Sequence, residues 1–202
     1  MKKILFLAES VSLAHVGRPL VLANWAHKNN FEVHFACSET GLEKTNTKNS
    51  SFATHPLYTI DGNLFYQRID QGKFFYTTTE LKKYVEAELL LIKKINPDLI
   101  VSDFRLTSSI SAALSHKPLL NLSNAYWSPY YTCPFPAPNF GIFKILSQKS
   151  SDLVFKMIRP IIFKTFGKEL NQLRAHYGLE KKSDFRELYT DGTYTAYMDL
   201  PD

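Results

Sequence analysis

Two polar residues stand where apolar runs give out. His15 follows shortly after Ile4-Leu5-Phe6-Leu7-Ala8, and Asp103 closes Asp98-Leu99-Ile100-Val101-Ser102-Asp103. A neutral imidazole, with an ordinary pKa of about 6.5, can take a proton from a hydroxyl near neutral pH. A carboxylate on its other nitrogen would fix the tautomer and stabilise the imidazolium that forms. The plainer readings are a loop histidine making a backbone contact and an aspartate capping the turn after its strand. His27, His34, His55, His116 and His176 show no pairing in sequence.

Several familiar sites are missing. Glu9-Ser10-Val11-Ser12-Leu13-Ala14-His15 contains neither the GxGxxG of a dinucleotide site nor the GxxxxGK[ST] of a P-loop, and the chain has no GxSxG nucleophile elbow. Cys37 and Cys133 form no CxxC pair and have no histidines at metal-ligand spacing, so neither a disulfide framework nor a metal site is expected.

For His15 and Asp103 to meet, the runs before them must be neighbouring parallel strands, since ligands bind at the carboxyl ends of the strands in a doubly wound sheet. The pattern supports this. Short β-branched or aromatic runs at roughly 3–8, 31–37, 57–60, 98–103, 118–122 and 194–198 alternate with helical periodicity. A helix is expected from Pro19 to Lys28. A second is capped by Thr78 or Thr79 and stopped by Asn96-Pro97, and a short third runs from Ser108 to Ser115. Tyr126, Trp127, Tyr130, Tyr131 and Phe135 interleave with prolines in an aromatic loop, which either packs on its own domain or lines a pocket. A long helical stretch from Asn139 to His176, broken near Ser150 and Pro160, follows it.

The 202 residues, 45% hydrophobic and 14% aromatic, suffice for one continuous core over 1–202. The expected fold class is α/β: a Rossmann-like, doubly wound, mostly parallel sheet with helices on both faces. The net charge of +5 is compatible with phosphates, anionic lipid or nucleic acid, but no nucleic-acid-binding module accompanies it. Phe140, Phe143, Phe155, Phe163 and Phe166, mixed with Lys144, Lys149, Lys156, Arg159, Lys164 and Lys168, read either as a basic amphipathic surface able to meet lipid or as a core-facing helix with a solvated lysine face. A cytoplasmic location, or one peripheral to the membrane, is expected.

Lys3-Ile4-Leu5-Phe6-Leu7-Ala8, Ala14-His15, Arg18-Pro19-Leu20-Val21-Leu22-Ala23 and Phe31-Glu32-Val33-His34-Phe35-Ala36 resemble the opening of the UDP-glycosyltransferase superfamily. Asn96 to Phe104 and Lys117 to Ser123 resemble its later core. Ala14 stands where that family usually has glycine, and Asn30-Phe31 replaces its usual Gly-His.

The resemblance implies the N-terminal, acceptor-binding half of a GT-B glycosyltransferase whose C-terminal, nucleotide-sugar-binding half is absent. The implied reaction is inverting transfer from a nucleotide sugar, UDP-linked by the family's habit, to the hydroxyl of a small-molecule or lipid acceptor. No tightly bound cofactor is implied, and the isolated chain would be inactive without a donor-binding domain or partner chain. His15 would be the base and Asp103 its partner; Ser12, Leu13, Phe104, Arg105, Asn124, Trp127, Tyr130 and Phe135 are the expected acceptor contacts. The alternative is a non-catalytic binding or membrane-anchoring subunit that recruits a donor-binding partner.

Overall fold

The structure is a computed structural model that describes residues 1–133, 135–137 and 147–199. Its centre is one six-stranded, wholly parallel sheet: β1 (Lys3–Ala8), β2 (Glu32–Cys37), β3 (Ala53–Pro56), β4 (Leu99–Asp103), β5 (Leu119–Ser123) and β6 (Tyr194–Tyr197), ordered β3-β2-β1-β4-β5-β6. That order is the Rossmann arrangement, in which the chain first winds outward one way from β1 and then starts again on its other side at β4.

Alternation along β1 covers both faces of the sheet. Ile4, Phe6 and Ala8 pack against helix α1 (Ala14–Lys28), while Leu5 and Leu7 pack against α4 (Thr78–Ile95) and α5 (Ser108–Leu114). Leu5, Leu7, Phe35 and Ile100 are wholly buried, as central strands clothed on both sides require. In α4, Thr77 and Glu80 form a reciprocal capping box, and Asn96 ends the helix in the left-handed region at φ 51° before Pro97. The cap is therefore Thr77, just before the expected Thr78 or Thr79.

Other boundaries differ for local reasons. The third strand is 53–56 and not 57–60, because Pro56 ends the run; Leu57 still donates its N–H to the Cys37 carbonyl at 2.7 Å. Two short helices, α2 (Glu39–Lys44) and α3 (Gly62–Asp70), occupy stretches without marked periodicity and begin on Ser38 and Asp61 caps. The helix after β1 begins at Ala14, with Pro19 inside it. In the long helical region, α6 (Gln148–Phe166) starts on a Ser147 cap and runs through Pro160; the junction with α7 (Lys168–His176) is at Gly167. Residues 139–146 of the expected stretch lie outside the described residues. No helix among the described residues is long and apolar enough to cross a membrane.

Past β1 the chain buries a carboxyl. Glu9 is fully enclosed, taking hydrogen bonds from the Ser10 N–H at 2.8 Å and the Tyr76 hydroxyl at 3.1 Å. Burial outweighs those contacts and the nearby Arg105 charge, raising its pKa above the ordinary 4.5. The stability contributed by protonated Glu9 is thus fully present below about pH 4.5 and is lost as pH rises through the raised folded-state value. Glu9→Gln, which stays neutral at every pH, should gain stability relative to the parent as pH increases from 4 to 8. Parallel urea curves for the two proteins across that range would exclude a buried, ionisable Glu9.

Candidate active site

The carboxyl ends of β1 and β4 are tied together by a hydrogen bond from Glu9 N–H to the Asp103 carbonyl, 3.1 Å. This is the point where the strand order reverses, and a crevice opens there because the connections leave in opposite directions. Because α1 starts at Ala14, His15 lies in its first turn and Arg18 follows three residues later on the same side of the helix.

Asp103, with no exposed surface, receives both. His15 Nδ1 is 2.9 Å from Asp103 Oδ1; Arg18 Nη2 donates to the same oxygen at 2.7 Å and Arg18 Nε to Oδ2 at 2.9 Å. A carboxylate only accepts, so in the tautomer that donates from Nδ1 to Asp103 the ring's lone pair is on Nε2. Arg18 Nη2 also lies 3.0 Å from His15 Nδ1, while Nη1 donates to Asn124 Oδ1 at 2.7 Å. Asn124 in turn donates to Asp199 at 2.8 Å. The polar chain from Asp103 through Arg18 and Asn124 thereby links the rims of β4, β5 and β6.

Phe104 adopts φ 57°, a left-handed conformation that bulky residues rarely take. Its ring lies flat on the imidazole, with centroids 4.3 Å apart and planes 9° from parallel. The ring therefore holds one face of His15 while Asp103 holds one edge.

His15 opens onto a cavity of about 290 Å³. Val11 and Ser12 come from the segment after β1, Phe65, Tyr66 and Ile69 from α3, Phe163 and Phe166 from α6, and Phe185 and Tyr189 from a turn of 3-10 helix; Lys73, Phe75, Phe104 and Trp127 complete the wall. Most of it is aromatic. Trp127 stacks on Tyr189 at 4.4 Å and 12°, fixing one side.

Of the expected acceptor contacts, Ser12, Phe104 and Trp127 line this cavity with His15. Leu13 is exposed just before α1, Tyr130 is 87% exposed, and Phe135 borders a second hollow with Cys133, Asp152 and Arg159. Asn124 serves Arg18 and does not line the cavity. Arg105 corrects the expectation most clearly. Fully buried, it pairs with Glu88 at 2.6 Å, donates to the Tyr58 carbonyl at 2.8 Å and stacks over Tyr84, so its side chain turns away from the crevice. Glu88 also receives the Thr107 and Ser111 hydroxyls. Full pairing is what makes that buried charge tolerable.

Sequence reasoning missed Arg18 as a site residue. Its signal was the three-residue spacing from His15, hidden by reading Pro19 as the helix start. The contributions of α3 and of 185–189 carried no motif.

The chain resembles known proteins along its entire length. It is 36% identical over 202 residues to a PGL/p-HBAD biosynthesis glycosyltransferase of Mycobacterium tuberculosis and 37% identical to a PGL/p-HBAD biosynthesis rhamnosyltransferase of Mycobacterium bovis, covering 100% of this chain and 47% and 44% of those proteins. A third relative, from Mycobacterium bovis, is named an inactive PGL/p-HBAD biosynthesis glycosyltransferase, at 36% identity and 55% of its length. The chain thus spans about half the length of the curated relatives it matches. No family model matches it. Among solved structures, the Streptomyces glycosyltransferase SsfS6 superposes over 91% of this chain and 48% of its own, with TM-score 0.57 at 17% identity. Glycosyltransferase VinC, solved with DTDP, superposes over 96% and 48%, with TM-score 0.57 at 13% identity. Over its whole length the chain is thus similar to a part of the PGL/p-HBAD biosynthesis glycosyltransferases, and its fold is that of about half of SsfS6 and of VinC.

Replacing Asp103 by alanine removes the shared partner of His15 and Arg18 and leaves a half-buried guanidinium unpaired. A loss of roughly 2 kcal/mol is expected, read as a lower urea midpoint with unchanged slope. A loss under about 0.5 kcal/mol, the level of an ordinary surface change, would mean that the carboxylate does not hold this rim together.

Proposed function

We propose that the chain is the acceptor-binding half of an inverting glycosyltransferase, with His15 as general base and Asp103 as the group that orients it. The observation that carries this reading is the 2.9 Å contact of His15 Nδ1 with buried Asp103 beside the aromatic cavity that His15 lines. One relative is called inactive, so kinship alone does not imply turnover. The paired imidazole and carboxylate are what support a catalytic reading.

In this reading an alcohol enters the cavity and gives its proton to His15 Nε2 as its oxygen attacks the anomeric carbon of a nucleoside-diphosphate sugar. The new C–O bond forms on the face opposite the diphosphate, which departs with the electron pair of the broken bond. The imidazolium is stabilised by Asp103, and the aromatic wall keeps competing water from the reacting centre. Donor phosphates belong on a second half. The sequence resemblance suggests uridine diphosphate, and the diphosphate in VinC is DTDP. A nucleoside-diphosphate sugar is the donor class that both support.

The cavity's aromatic lining suits a flat, apolar hydroxyl compound, a phenol above all. The chain holds only two tryptophans: Trp127 on the cavity and Trp25, 62% exposed on α1. A 4-alkylphenol should therefore quench fluorescence saturably in Trp25→Phe and not in Trp127→Phe. Quenching that persists without Trp127 would place binding elsewhere.

The chemistry is tested by joining the chain to a matching donor-binding half and assaying transfer. His15→Ala should lower kcat by about 10²- to 10⁴-fold, the usual worth of a positioned base. Equal turnover by the two proteins would remove His15 from the reaction.

A further inference from the structure

We propose that the outward face of α6 rests on an anionic lipid surface. Leu153, Met157 and Ile161 recur every four residues, so they form one stripe along the helix, and they are 64%, 74% and 69% exposed. Lys149 continues the stripe at one end and Lys164 at the other, with Lys156 flanking it; all three are exposed. The helix's only acidic residue, Asp152, lies off the aliphatic stripe, one turn before Lys156, and accepts from the Ala137 N–H at 2.7 Å and the Gln148 amide at 2.8 Å.

Of the two arrangements expected from the sequence, the described phenylalanines follow the core-facing one. Phe155 is buried, and Phe163 and Phe166 line the cavity. The inward side of α6 is therefore committed; of the outward residues, Leu153 and Lys156 also border the hollow beside Phe135, while Met157 and Ile161 are 74% and 69% exposed.

The chemistry decides between partners. Protein interfaces are enriched in aromatic residues, arginine and methionine, so Met157 does not discriminate, but they are depleted in the lysine that frames this stripe. A stripe of leucine, methionine and isoleucine framed by lysines instead matches an interfacial helix, whose hydrocarbon enters the headgroup boundary while its cations meet lipid phosphates. The same helix would then have lipid on one side and the His15 cavity on the other. The proposal stands independently of the role given to His15.

Flotation of the 202-residue chain with phosphatidylcholine vesicles, with and without phosphatidylglycerol, tests it. Binding should require the anionic lipid and weaken between 0.05 and 0.5 M salt, as the screening length falls below about 5 Å. Each of Lys149→Gln, Lys156→Gln and Lys164→Gln should lower partitioning about fivefold, and the triple variant about a hundredfold. Met157→Ser should weaken binding at both salt concentrations. These positions are exposed, and circular dichroism melts verify that the variants stay folded. A control removing equal charge elsewhere, through Lys28→Gln, Lys82→Gln and Lys93→Gln, should retain binding. Absence of vesicle binding, equal loss in the control, or self-association abolished by Met157→Ser without any vesicle binding would each overturn the proposal.

Discussion

A buried carboxylate must be matched where it stands, because leaving it uncompensated costs several kcal/mol, of the order of a large part of a domain's stability. Asp103 is that group. Enclosed at the carboxyl end of β4, it is matched by the Arg18 guanidinium through two hydrogen bonds and by the His15 imidazole through one. Both partners come from the first turns of α1, so this pairing sets the position and rotation of the helix start against the sheet. Arg18 carries the constraint onward to Asn124 and Asp199, beyond β5 and β6. The strand order places these groups side by side, and the electrostatics hold them there.

The sheet and the helices divide the work. Strand ends supply the polar rim, while α3, α6 and the 185–189 turn supply an aromatic wall. A dry, aromatic surround weakens competition from water and strengthens the interactions of any charge that develops inside it. Phe104 belongs to both parts: its left-handed backbone follows directly on Asp103, and its ring lies flat on His15. Solved glycosyltransferases share this framework with the chain, and the proposed chemistry rests on the pairing of His15 with Asp103.

Much of the framework was legible in the sequence because it rests on periodicity. The two-residue alternation and continuous apolar run of β1, β2 and β4 fixed the parallel core, and Asn96-Pro97 marked the end of α4. His15 and Asp103 stood out because a polar residue that ends a central strand, or lies in the turn leading from one into its helix, faces the crevice. Arg18 and Arg105 show where the reading ran out. Each follows one of those strands closely, yet one grips Asp103 and the other turns inward to Glu88, a choice set by partners distant in sequence. The cavity wall was hidden for a similar reason: Phe65, Phe166 and Tyr189 meet only after folding, with no local pattern to announce it.

The sheet's two margins are unlike. At one, β3 ends in Pro56, which has no N–H to offer a neighbouring strand. At the other, β6 is Tyr194-Thr195-Ala196-Tyr197, uncharged, free of proline and rich in residues that favour extended pairing. Any tendency of this molecule to polymerise through backbone hydrogen bonding would therefore be directional, starting from the β6 side while the β3 side stays blunt.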